Sequence, residues 1–251
     1  MRLVVFCEAS ADFQVAADLI DRVLRHESPG WVAEVLDTAP EGIRSWRGDG
    51  QGGAFFDVHQ LAKQVDQLAI RVPHGYFDGR PGAADAMMAR TVFSIVRNLV
   101  KRGESIDAAL LIRDMDDQPE RETGIGQART EALAWATFRI VVGCAKPLRE
   151  AWVLCGFDPQ TDDERARLAA VRRELGFHPH EHAHQLTAKD ERAKRSAKRV
   201  LRLLTADDRD REAQCWQRVP LDVLRSRGAL TGLRDYLDEV RRHLVPLVGP
   251  A

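Results

Sequence analysis

The chain has 251 residues, 44% of them hydrophobic and 30% charged, with 37 Lys and Arg against 38 Asp and Glu for a net charge of −1. Nothing in that balance calls for a nucleic-acid or acidic-surface partner, so any such partner must be met by a local patch. The length suits one full α/β domain with a smaller appendage, or one elaborated domain.

Residues 3–7 form a short apolar run that ends on a carboxylate, Glu8, and read as a strand rather than as a secretory leader. Ser10 or Asp12 can cap the segment that follows, where Phe13, Ala16, Leu19, Ile20, Val23 and Leu24 keep helical spacing. Residues 31–36 read as a further strand, completing a strand–helix–strand unit. From 40 to 82 the pattern is broken by Gly42, Gly48, Gly50, Gly52, Gly53, Gly75, Gly79 and Gly82 around one helical piece near 58–70, which predicts an insertion with loops. Met87, Val92, Ile95, Val96 and Leu99 then restore the helical period up to Gly103.

Residues 108–112 are uninterrupted apolar chain and then give way to Asp114, Asp116 and Asp117. Such a run reads as a strand buried on both faces, as in a parallel sheet, whose ligand crevice lies at the carboxyl ends of the strands. A helix over 121–135, a strand over 138–143 and a short helix over 148–154 complete the α/β part. Four helical stretches follow: Asp162–Leu175, 188–204, 207–217 and 231–244. The expected organisation is an α/β domain over 1–160, with a mostly parallel sheet of about four strands flanked by helices, and a helical part over 161–251 packed on it. Cys7, Cys144, Cys155 and Cys215 are scattered without a CxxC; Cys7 and Cys144 fall in strands and read as buried thiols. No apolar run approaches the roughly 18 residues of a membrane span, so a cytoplasmic protein without a membrane partner is expected.

If the strands ending at Glu8 and Asp114 are parallel neighbours, Glu8, Asp114 and Asp116 meet at one sheet edge, where a divalent cation or shared protons would relieve their repulsion. Oxygen-only ligands suit Mg²⁺ or Mn²⁺ rather than zinc. Lys189, Arg192, Lys194, Arg195, Lys198, Arg199 and Arg202 make a basic run that reads either as a phosphate-backbone surface or as a solvated face. His178, His180, His182 and His184 alternate; zinc binding is conceivable there, and a flexible solvent loop is the simpler expectation.

A glutamate after strand one and a later strand-terminal Asp-x-Asp resemble the TOPRIM fold, especially OLD-family nucleases and related bacterial proteins encoded beside ATPases. The matching residues are 3–8 with Asp12, 110–116, the Glu150-x-Trp152 segment and the lysine-bearing stretch 194–204. Ala9 stands where glycine is common, and the gap from Glu8 to Asp114 is long. The resemblance implies metal-assisted phosphodiester hydrolysis with one or two Mg²⁺ or Mn²⁺ ions. Asp114 and Asp116 would hold a metal, with Glu8 as second ligand or general acid/base, Asp12 joining Glu8, and Glu150 as a further ligand. Lys146 or Lys198 would stabilise the transition state, and Lys194, Arg195, Lys198, Arg199 and Arg202 would contact nucleic acid, DNA first. It also implies an AAA- or ABC-type ATPase partner in phage defence, on a separate chain because no GxxxxGK[ST] occurs here. The rival is a TOPRIM-like binding or regulatory subunit without catalysis. A nucleotide-sugar transferase leaves Glu8 without a role, and a dehalogenase-type phosphatase carries its Asp-x-Asp on the first strand.

Overall fold

In a computed structural model, which describes residues 1–49 and 53–249, β1 (Arg2–Cys7) leads into α1 (Ser10–Glu27) and α2 (Gly30–Thr38). Short strands β2 (Ser45–Arg47) and β3 (Phe56–Asp57) precede α3 (Leu61–Gln67), the hairpin β4 (Tyr76–Phe77) and β5 (Arg80–Pro81), and α4 (Ala86–Lys101). Then come β6 (Ala108–Asp114), α5 (Pro119–Leu133), β7 (Arg139–Ala145), α6 (Arg149–Cys155) and α7 (Asp162–Leu175). The chain closes with α8 (Ala197–Thr205), α9 (Arg209–Gln217), α10 (Leu221–Arg227) and α11 (Leu233–His243). The sheet order is β2–β1–β6–β7, with β3 continuing β2's side of β1, and every pairing in this sheet is parallel. This is the expected α/β, Rossmann-like architecture.

A parallel sheet must be covered on both faces, and the alternation along each strand shows how. Leu3, Val5 and Cys7 of β1, with Leu110 and Ile112 of β6, join α1, α6, α8, α9 and α11 in one apolar cluster. Val4 and Phe6, with Ala109 and Leu111, join α3, α4 and α5 in the other. The C-terminal helices therefore share their core with the first strand. Tyr236 of α11 stacks on Trp152 of α6 at 5.0 Å and donates its hydroxyl to the Ala16 carbonyl of α1 at 2.9 Å.

Several expectations are corrected. Residues 31–36 are helical: Val32 and Leu36, four apart, are buried while Glu34 between them is exposed, whereas a strand would set all three on one face. Their expected place beside β1 is taken by Ser45–Arg47, a short edge strand inside the stretch expected to be loops. Gly50 and Gly52 of that stretch lie outside the described residues. The helix expected over 188–204 begins only at Ala197, because the Ser196 hydroxyl caps it by accepting the Arg199 N–H and Asp190 forms a tight turn with Arg192 before it. Lys189, Arg192, Lys194 and Arg195 are therefore loop residues. α10 adds a helix between the stretches expected over 207–217 and 231–244. The His178–His184 stretch is not an open solvent loop, since His180 is buried and Ala183–Gln185 form a 3₁₀ turn. Cys7 and Cys144 are buried in β1 and β7, and burial raises the thiols of all four cysteines, Cys155 to about 11. Among the described residues no helix is long and apolar enough to cross a membrane.

Candidate functional site

The carboxyl ends of β1, β6 and β7 fall together because the strands are in parallel register, Phe6 beside Leu111 and Asp114 beside Ala145. Asp114 is the last residue of β6, and its Oδ1 accepts the backbone N–H of Arg149, the first residue of α6, at 2.8 Å. Asp12, in the first turn of α1, accepts the Ala9 N–H through Oδ2 at 3.0 Å and so fixes the entry of the helix. Its Oδ1 lies 3.4 Å from Arg149 Nε. The Arg149 guanidinium also reaches Glu150 Oε1 at 2.9 Å and Glu212 of α9 at 3.0 Å. Asp12, Asp114 and Glu150 thus converge around one arginine from three separate elements.

Their electrostatics are unusual. Burial pushes the Asp114 carboxyl up to about 7, and the nearby charges of Asp12 and Glu150 push in the same direction. Burial also raises Asp12, against the opposing pull of Arg149. Glu150 is 8% exposed, and its Oε2 is buried without a hydrogen-bond partner among the described residues. A buried carboxylate oxygen left unpaired is costly, and such oxygens in native folds call for a ligand or a function.

Glu8 and Asp116 are held elsewhere. Glu8 forms an ion pair with Arg113 of β6, and Arg113 Nε donates to Asp85 at 2.8 Å. Arg121 of α5 donates to Asp116 at 2.6 Å and to the Asp114 carbonyl at 2.9 Å. Asp116 follows Asp114 by two residues, but the chain has left the strand and Asp116 is left-handed at φ 49°. The alternation that would set the two carboxylates on one face ends with β6. Asp117 and Asp85 are also left-handed, at φ 56° and 61°, a concentration of backbone strain typical of functional loops. The expected composite of Glu8, Asp114 and Asp116 is therefore replaced by two adjoining groups: Asp12, Asp114 and Glu150 around Arg149, and Glu8, Asp85 and Asp116 around Arg113 and Arg121. Among the described residues none of these carboxylate sets closes to within 4.8 Å.

Lys146 Nζ pairs with Glu122 at 2.8 Å on the wall of a cavity of about 380 Å³ that also includes Met115, Pro147 and His184. Lys198 lies nearer the carboxylates: Glu150 and Asp114 both favour its charge, after its hydrogen bond to Glu191 at 3.2 Å. With Asp116, Arg121, Lys189 and Ser196 it lines a depression of about 300 Å³ beside the acidic edge. Lys194, Arg195 and Arg202 are exposed, Arg202 shares Glu191 with Lys198, and Arg199 is tied to Glu174 at 3.0 Å.

The residues that sequence reasoning missed are the cations inside the site, Arg113, Arg121 and Arg149, with Asp85 and Glu212. Arg113 carried a signal, since a charge directly before Asp114 in an otherwise apolar strand needs a buried partner. No protein-family model, curated protein or solved structure matches this chain.

Proposed function

We propose that this chain is a TOPRIM-like, Mg²⁺- or Mn²⁺-dependent phosphodiesterase that cuts nucleic acid, DNA first, in the cytoplasm, acting with an ATPase on a separate chain in phage defence. The observation that carries the reading is the convergence of Asp12, Asp114 and Glu150 at the carboxyl edge of a parallel sheet, with the Glu150 Oε2 buried and unpaired. The donor set fits the ion, being entirely oxygen and more acidic than Arg149 alone neutralises. Asp114, Asp12 and Glu150 would hold one ion, and Glu8 and Asp116 are the residues that would serve a second. When bound, the metal lowers the pKa of an attacking water and screens charge on the scissile phosphate.

The chain's own residues prepare that chemistry. Arg149 orients Asp12 and Glu150, while Arg113 holds Glu8 one residue beyond β1, where it can act as acid or base. Lys198, Lys189 and Arg121 line the depression beside the carboxylates and give a phosphate cationic contacts. Lys194, Arg195 and Arg202 extend that positive surface outward along the backbone of a nucleic acid.

The test is incubation of the purified protein with supercoiled plasmid, single-stranded DNA and RNA in Mg²⁺ or Mn²⁺, beside Asp114→Ala. Metal-dependent cleavage reduced on the order of 100-fold in the variant is expected, the scale on which loss of a charge-stabilising group acts. If the wild type cuts nothing, with or without a partner ATPase, catalysis is excluded. Arg149 supports the second reading, a non-catalytic binding or regulatory subunit, because a protein cation already bridges Asp12, Glu150 and Glu212. That reading, with or without a metal-stabilised site, requires that no substrate be cut in Mg²⁺ or Mn²⁺.

A further inference from the structure

Between α7 and α8 the fold treats four alternating histidines unequally. His180 is 7% exposed and His178 half-buried, whereas His182 faces solvent. The Nδ1 atoms of His178, His180 and His184 are buried without a hydrogen-bond partner among the described residues. Each unpaired buried nitrogen costs on the order of 1–3 kcal/mol, so the pair at His178 and His180 within one turn, with His184 in the 3₁₀ segment beyond it, asks for a partner. The rings of His178 and His180 lie 5.5 Å apart and are inclined at 77°. One ring nitrogen from each joins a carboxylate oxygen of Glu181 in a group whose members all lie within 4.8 Å of one another.

We propose that His178, His180 and Glu181 bind one Zn²⁺ ion, leaving a coordination position open. Two imidazoles and a carboxylate suit Zn²⁺ and its borderline neighbours, whereas Mg²⁺ selects the all-oxygen edge of the sheet. Zinc–nitrogen bonds of about 2.0–2.1 Å put tetrahedral ligand atoms about 3.3 Å apart, a closure within reach of rotation of the exposed Glu181 side chain. His180 Nε2 already lies 3.7 Å from Glu181 Oε1, so the imidazole and the carboxylate face one another across the place an ion would take. The site also has a structural consequence. It pins the chain just before Leu186 and Thr187, which wall the depression beside Asp116 and Lys198.

The test is titration of the untagged full chain with Zn²⁺ against a chromophoric chelator in excess Mg²⁺. His178→Ala, His180→Gln, His182→Ala and Asp114→Asn are run in parallel, with circular dichroism confirming the fold of each. The wild type, His182→Ala and Asp114→Asn are expected to bind one Zn²⁺ per chain with the same affinity. His178→Ala and His180→Gln are expected to bind at least about tenfold more weakly, the loss that even outer partners of a metal produce. His178 is half-buried, so His178→Ala tests ligation even if the change at His180 unfolds the chain. Three outcomes overturn the proposal: no zinc bound by the wild type, equal losses in His182→Ala and His178→Ala as in an unstructured histidine tag, or loss in Asp114→Asn, which would place the ion at the carboxylate edge. Because that last variant separates the two centres, failure here leaves the phosphodiesterase reading standing, and failure there leaves this one.

Discussion

Asp114 shows how much a fold can demand of one side chain. Its carboxyl titrates at about 7 instead of 3.8 because burial opposes the charge and Asp12 and Glu150 add repulsion. The folded chain keeps a proton there, between those values, that the unfolded chain has released. The stability this group contributes is therefore complete below about pH 4 and is lost as pH rises through about 7. Asp114→Asn mimics the protonated form and keeps an oxygen for the Arg149 N–H, so it removes that loss. In EDTA at about pH 8 the variant is expected to melt about 3 °C or more above the wild type, with the difference vanishing near pH 4. Adding Mg²⁺ at the higher pH should raise the wild type and leave the variant unmoved, because an ion that binds only the folded chain stabilises it. A variant that melts below the wild type at about pH 8 would show that the carboxylate charge helps the fold, contrary to its raised pKa.

At the scale of elements, the packing of α4 against α5 rests on a glycine. A Cβ at Gly124 would lie 1.9 Å from the Ala84 carbonyl oxygen, which is backbone and cannot rotate away. Gly126, one half-turn on, is exposed, and its Cβ would meet nothing within 4 Å. Helix propensity alone favours alanine at both positions by about 1 kcal/mol. The expected results have opposite signs: Gly126→Ala stabilises by up to about 1 kcal/mol, and Gly124→Ala destabilises by about 2 kcal/mol or more. Urea unfolding measures both. Equal effects would show that α4 and α5 part easily there. At two elements the local sequence signal is ambiguous. The apolar content of residues 31–36 suits either a strand or a short helix, and the exposure of Glu34 between Val32 and Leu36, which are buried with α1, decides for the helix. The basic stretch before α8 has helix formers, but a serine cap and an aspartate turn stop it short of them.

Across the whole molecule, the helical C-terminal part completes the core of the sheet. Trp152 of α6 donates its indole N–H to the Thr231 carbonyl at 2.7 Å and lies against Tyr236, both from beyond residue 160. The Arg22 guanidinium of α1 reaches the carbonyls of Trp216 and Val219. Residues 1–160 produced alone would expose the face of β1, β6 and α6 that these groups cover, and the fragment is expected to lack a cooperative unfolding transition and to bind a hydrophobic dye. A sharp, two-state melt of that fragment would show that the α/β part folds by itself.

What the sequence determined by itself is what local periodicity encodes. The apolar runs of β1, β6 and β7 and the 3.6-residue spacing of α1, α4 and α7 specify a parallel sheet clothed in helices. The acids at the strand ends single out its carboxyl edge as the candidate site. Asp114 was legible as a candidate from its place at a strand end, expected to act with Asp116 and Glu8, whereas Asp12 and Glu150 entered only as what the TOPRIM resemblance implies. The tertiary structure decided which of them meet, because partners are chosen by distances between elements far apart in the chain. Arg113 takes Glu8, Arg121 takes Asp116, and Arg149 gathers Asp12 and Glu150 with Glu212, a residue of α9 that no local pattern connects to the sheet edge. The same holds for His178 and His180, whose alternation is visible in the sequence. Their burial beside Glu181 follows from how the turn after α7 packs.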